Sequence, residues 1–197
     1  MKRASIGVSA HLGWAAIAVV ACDRIETAPE NDREVSEPYH VAGGFDGLRR
    51  VPRPADPEAV VRRGLRKQQR FTARVLGGIA KELATGGHRL AFAGILVSRG
   101  REASDFEKAI GSHTQIHIQE GLAVRASLRG ALGDIGARVR DIDQKSVLSI
   151  GSEELGEKES ELMAQLGAAR PENEGPWRKE EKLAALAGWI AWRRSAR

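Results

Sequence analysis

The sequence predicts a single α/β domain over residues 1–197, a mixed sheet flanked by helices. Three observations predict it. The chain opens with two short apolar strands about a glycine-bearing turn. A long amphipathic helix at about 57–84 leads into a continuously apolar stretch at 88–98. A second long helix, at about 112–135, leads through Gly136 into a short strand at 138–142. At 197 residues the chain is long enough for one domain with its own core and short for two.

Residues 4–9 and 14–21 are the first two strands. The second, WAAIAVVA, has the uniform apolar character of a strand buried on both faces. A rival reading starts from Lys2 and Arg3 ahead of the apolar run. Val19-Val20-Ala21-Cys22 fits a bacterial lipoprotein cleavage box, which would make Cys22 the lipidated first residue of an envelope-anchored protein. His11 stands in the middle of that run and is a poor component of a membrane-inserting segment. The strand reading is therefore preferred, and with it a cytoplasmic protein that meets a membrane only if lipidated at Cys22.

Residues 23–28 suit a third strand and 29–38 a polar loop. Pro38 to Gly44 is an ordered loop that carries Tyr39, the single tyrosine, and His40. Residues 45–57 form an internal linker. Pro57 fits the first turn of a helix capped by Asp56, which ends at Gly86-Gly87. Its apolar stripe is Val61, Leu65, Thr72, Leu76, Ile79 and Leu83. Arg62, Arg66, Arg70 and Arg74 recur every fourth residue and form one basic ridge.

The strand at 88–98 is followed by a charged connection with a short helix at 104–110. Ser112 caps the helix at 112–135 and Gly136 ends it. A further helix is expected at 153–166. The loop at 167–176 precedes a closing helix at 177–194, which buries Leu183, Leu186, Ala187 and Ile190 beside Trp189 and Trp192.

The formal charge of +5 is unevenly spread: nine Arg or Lys lie between Arg49 and Arg74, against Asp56 and Glu58 alone. That asymmetry admits an anionic partner, nucleic acid or a phosphorylated ligand. One cysteine excludes an internal disulfide framework and a cysteine-based zinc cluster. No glycine-rich phosphate loop of Walker or dinucleotide type is present, and no Ser/His/Asp or Cys/His arrangement activates a nucleophile.

Hairpin, third strand, long helix, buried strand, helix, strand and closing helix: this order resembles the ribonuclease H-like fold, and most nearly its Holliday-junction resolvase branch. That branch opens with Gly-Ile-Asp-Pro-Gly and a Gly-Trp-Ala turn; the corresponding piece here is Ile6-Gly7-Val8-Ser9-Ala10-His11-Leu12-Gly13-Trp14-Ala15. The further combination of His11, Pro38-Tyr39-His40 and Ser112-His113…Ile116-His117…Glu120-Gly121 is similar to a family of short bacterial proteins that carries no known activity. The resemblance implies two magnesium ions held by acids from the first strand, the central strand and the closing helix. Here Ser9 stands at the first position and the second falls near Gly94, so only Glu180 or Glu181 supplies an acid. A two-metal nuclease site needs several carboxylates, and its absence is the expectation.

His113, His117, Glu120, Val124, Leu128, Ala131 and Ile135 share one helical stripe. Its later members are apolar, whereas its first two turns place two imidazoles and a carboxylate on the core side. Polar groups there cost free energy unless partnered, which suggests a cleft. His113, His117 and Glu120 are candidate catalytic groups, with His11 joining from the first strand, and are also a candidate divalent-metal set. His40, Tyr39, Arg125, Asp143, Lys145 and Glu181 are candidate ligand-binding groups, Arg125 and Lys145 to offset phosphate charge. The expected function is a nucleic-acid or phosphate-ester binding protein. If it is an enzyme, it is a phosphodiesterase using His and Glu. The alternatives are a scaffold that self-associates through its Trp-rich closing helix and the lipid-anchored protein.

Overall fold

The structure, a computed structural model, describes residues 1–11, 14–21, 24–28, 38–46, 49–98, 100–169 and 177–193. Its centre is a five-stranded sheet in the order β3-β2-β1-β6-β7. β1 (Lys2–His11) pairs antiparallel with β2 (Trp14–Ala21), and β2 with β3 (Arg24–Ala28). On its other side β1 runs parallel to β6 (His88–Val97), and β6 parallel to β7 (Arg138–Asp143). The opening strand is therefore the middle of the sheet, as the strand reading of residues 4–9 and 14–21 requires. Cys22 lies outside the described residues.

The period-two alternation of β1 divides it between two cores. Ala4, Ile6 and Val8 pack with Leu76, Ile79 and Leu83 of α2 (Pro57–Thr85) and with Val124, Leu128 and Leu132 of α4 (His113–Asp134). Ser5, Gly7 and Ser9 turn to the other face, where α7 (Lys179–Arg193) lies. There Ala18, Leu96 and Ile142 meet Leu183, Leu186 and Ile190, together with Val147 of α5 (Val147–Leu155) and Leu162 of α6 (Glu159–Ala168). Ile6, Leu76, Ile95, Leu132, Leu186 and Ile190 are among the fully buried side chains. Each such burial contributes about 1.5–3 kcal/mol.

α7 sits with its backbone directly on the sheet. A Cβ added to Gly7 would lie 1.6 Å from the Ala184 carbonyl oxygen, and one on Gly94 would lie 2.2 Å from that of Ala187. The Ser5 hydroxyl donates to the Gly188 carbonyl at 2.7 Å, so β1 is pinned to the helix by a bond that satisfies both buried groups.

Four expectations are corrected. Residues 38–44 are not a loop: Pro38–Gly43 is a helix, α1. The linker at 45–57 contains a small hairpin of β4 (Phe45–Asp46) and β5 (Arg49–Arg50) before Asp56 caps α2 with a 2.8 Å bond from the Ala59 N–H. The helix expected at 153–166 is two, α5 and α6, because Gly156 turns left-handed at φ 76° and ends the first. The loop at 167–176 is shorter at its start, since α6 runs to Ala168; residues 170–176 lie outside the described part. The short helix before α4 is α3 (Phe106–Gly111), capped by Asp105, whose carboxylate accepts the Lys108 N–H at 2.9 Å. Among the described residues no helix is long and apolar enough to cross a membrane.

Candidate functional site

β1, β6 and β7 run parallel, and the helices that lead into or out of them run back the other way. The N-terminal ends of α2, α4 and α7 therefore gather at the carboxyl ends of these strands, the usual ligand crevice of such a sheet. Most candidate residues stand at this end.

Ser112, in extended backbone, caps α4 by accepting the Gln115 N–H at 3.2 Å. The next turn brings His113 and His117 together. Their rings meet edge-on with centroids 4.2 Å apart, and His117 Nε2 lies 3.1 Å from His113 Nδ1. Both are half-buried. Glu120 is 2% exposed, and its Oε1 accepts the Tyr39 backbone N–H at 2.7 Å. That N–H belongs to the first turn of α1, which has no acceptor within its own helix. Glu120 thus caps α1 and places negative charge at its positive end. The Tyr39 phenol packs beside Ala42, Val61 and Ile110. Burial first, and then the charges of Glu120 and Glu102, push its pKa above the ordinary 10.0.

The predicted metal set divides here. Among the described residues no three His, Cys, Asp or Glu side chains gather as a metal site. The reason is local: the two histidines bond each other, while the Glu120 carboxylate turns to α1. His11 ends β1 and His40 lies in α1, but their side chains are outside the described part of the structure.

The remaining ligand candidates do not converge on one point. Asp143 accepts the Ser146 hydroxyl at 2.9 Å in the turn after β7, and Lys145 in that turn is exposed. Glu181 lies across the sheet on α7, where it accepts the Arg178 N–H at 2.9 Å and caps its own helix. Arg125 is 7% exposed and donates to the Ser98 hydroxyl at 3.3 Å, just past the end of β6. Desolvation, followed by repulsion from Arg129, lowers its pKa against the pull of Asp141.

The ridge stands as expected. Arg62, Arg66, Arg70 and Arg74 are all exposed on α2, and Arg63 and Lys67 broaden the face they form. Arg62 is met by Glu58 at 3.2 Å and by Asp56 at 3.9 Å. From Arg63 to Lys81 the helix contains no acidic residue, and among the described residues no carboxylate pairs with Arg63, Arg66, Lys67, Arg70 or Arg74. Arg74 lies over the Phe71 ring at 5.2 Å, a cation–π contact that leaves its charge in place. At 1.5 Å per residue the ridge is about 18 Å long.

Sequence reasoning missed Ser98, which alone explains where Arg125 points. It also missed the buried polar contact between α2 and α4, where Ser127 donates to Gln68 at 3.4 Å. The gap between Leu65 and Thr72 in the α2 stripe was the available signal, since Gln68 fills that core position.

No protein-family model and no curated protein matches the chain. Among solved structures, Thermus thermophilus RuvC is similar over 98% of this chain and 95% of its own, with a TM-score of 0.51 and 9% identity. T. thermophilus RuvC in complex with a Holliday junction substrate matches with the same coverage, score and identity. At that identity the likeness is one of fold. The chain has the ribonuclease H-like fold, in the Holliday-junction resolvase arrangement that its opening strands and element order resemble.

Proposed function

We propose that this protein binds nucleic acid along the exposed face of α2, as a ribonuclease H-like module without the two-metal site. The observation that carries the reading is the run of cations from Arg63 to Arg74 with no acidic partner among the described residues. An unneutralised stripe about 16 Å long spans about five base steps of a duplex at 3.4 Å per step. The complex of RuvC with a Holliday junction shows a protein of this fold on DNA, which supports the choice of partner.

Ser9 and Gly94 stand where the resolvase resemblance puts acids, and Glu181 caps its own helix. These residues support binding without two-metal cleavage. A phosphodiesterase using His113, His117 and Glu120 has less support, since these groups are engaged with one another and with α1. Self-association through the closing helix has less still: Trp189 and Trp192 pack into this chain's own cores.

The test is fluorescence anisotropy with labelled single strands, duplexes and four-way junctions across a salt series. Four neutralised phosphates give a slope of about −3.6 in log affinity against log salt for duplex DNA. Reversing Arg66, Arg70 and Arg74 to Glu should abolish binding. No binding at low salt, or binding indifferent to the reversal, would sink the reading.

A further inference from the structure

We propose that Arg125 and Ser98 form a binding site for a single phosphate-class oxyanion at the carboxyl end of β6. The inference stands apart from the α2 ridge and does not rest on it.

Arg125 is 93% buried, being 7% exposed, yet it is poorly compensated. A guanidinium carries five N–H donors. Among the described residues this one makes a single hydrogen bond, from Nη1 to the neutral Ser98 hydroxyl at 3.3 Å. No carboxylate pairs with it. The nearest acid that acts on its charge, Asp141, is taken by Arg129, whose Nε donates to it at 3.1 Å and whose Nη2 donates to its other oxygen. Arg129 itself adds a second positive charge nearby. The remaining N–H donors of Arg125 make no bond within the described residues and are not sealed from solvent, so they are available to an incoming anion with hydrogen-bond acceptors.

Position says which way the site opens. The Arg125 side chain folds back along α4, so that Nη1 lies 3.9 Å from where a Cβ on Gly121 would be. The guanidinium thus points from the helix toward the end of β6. Ser98 is exposed, so the pair is reached from solvent on the Ser98 side. The Gln144 N–H bonds the Val97 carbonyl at 2.9 Å, which ties the turn holding exposed Lys145 to the same strand end. A planar fork and a hydroxyl donor suit a phosphate group.

The experiment is thermal unfolding of the full chain in inorganic phosphate, against chloride and acetate at matched ionic strength. Wild type should gain roughly 2–4 °C in Tm at phosphate about five times its dissociation constant. Arg125→Met keeps the length of the side chain and should lose the gain while still unfolding cooperatively in chloride, since it deletes a charge that no carboxylate pairs with. Ser98→Ala removes an exposed hydroxyl and should fold with a reduced gain. The site is overturned if phosphate raises Tm equally in wild type and Arg125→Met, if Ser98→Ala responds like wild type, or if acetate acts as well as phosphate.

A second arm identifies the source of the phosphate. If phosphate displaces a bound oligonucleotide from wild type but not from Arg125→Met, the site takes a nucleic-acid phosphate. A phosphate response with oligonucleotide binding unchanged assigns it to a free phosphate ester; both outcomes keep the site. Arg66→Glu, Arg70→Glu and Arg74→Glu together should leave the phosphate response intact, which separates this inference from the ridge.

Discussion

The Glu120 carboxylate accepts the Tyr39 backbone N–H at 2.7 Å, across 81 residues of chain. One buried side chain on α4 thereby completes the first turn of α1, and the two helices hold each other.

Removing that acceptor should show in stability. Glu120→Ala leaves the Tyr39 N–H without its carboxylate and should cost about 1–3 kcal/mol. Glu120→Gln keeps an amide oxygen in place and should cost less. Urea denaturation reads both, and equal losses would mean that the carboxylate does not act as a cap.

Tyr39 is the only tyrosine, so the phenolate absorbance of the folded protein reports one residue. Its titration midpoint should lie above that of the denatured chain, because burial and then Glu120 and Glu102 favour the protonated phenol. Glu120→Gln should lower the midpoint only partway, since burial is the larger cause and remains. The native state holds this proton where the unfolded chain has already lost it. Stability from this group is therefore complete below about pH 10 and is lost as pH rises from there through the folded value. A midpoint at or below that of the denatured chain contradicts the placement of Tyr39.

The His113–His117 contact should register as coupling. In a double-mutant cycle to Ala, the pair should contribute about 0.5–1.5 kcal/mol beyond the sum of the single losses. Strictly additive losses would mean that the 3.1 Å approach carries no energy.

Two glycine substitutions should act in opposite directions. Gly7→Ala drives a methyl to 1.6 Å from the Ala184 carbonyl oxygen and should cost about 3 kcal/mol or more, since backbone must move. Gly130→Ala, in the interior of α4 with open space around it, should stabilise by about 0.4–1 kcal/mol. Comparing their Tm values checks both, and a well-folded Gly7→Ala would contradict the seating of α7.

Strands and long helices were legible because local patterns specify them: the uniform apolar β2, the continuous β6, and the Asp56 and Ser112 caps. α1 was not, because an acceptor for its first turn lies on another helix, 81 residues away. The break between α5 and α6 was hidden by the acidic run on either side of Gly156, which suits a helix equally well. At the candidate site the ridge could be read directly, since spacing and absence of acids are properties of one segment. The partners of Glu120 and Arg125 are properties of the packing, on α1 and at the end of β6, so a helical wheel of α4 could not supply them.

The bond from Ser5 to the Gly188 carbonyl joins residues 183 positions apart. During synthesis β1 has only the β2 hairpin for company until β6 emerges, and its α7 face waits for almost the whole chain. Closing so long a loop is slow, because chain entropy opposes it before any contact rewards it. The bare strip of Ser5, Gly7 and Ser9 is then where a stalled or shortened chain exposes unpaired surface. Chaperone engagement and protease cutting should concentrate on chains that have not yet seated the last helix.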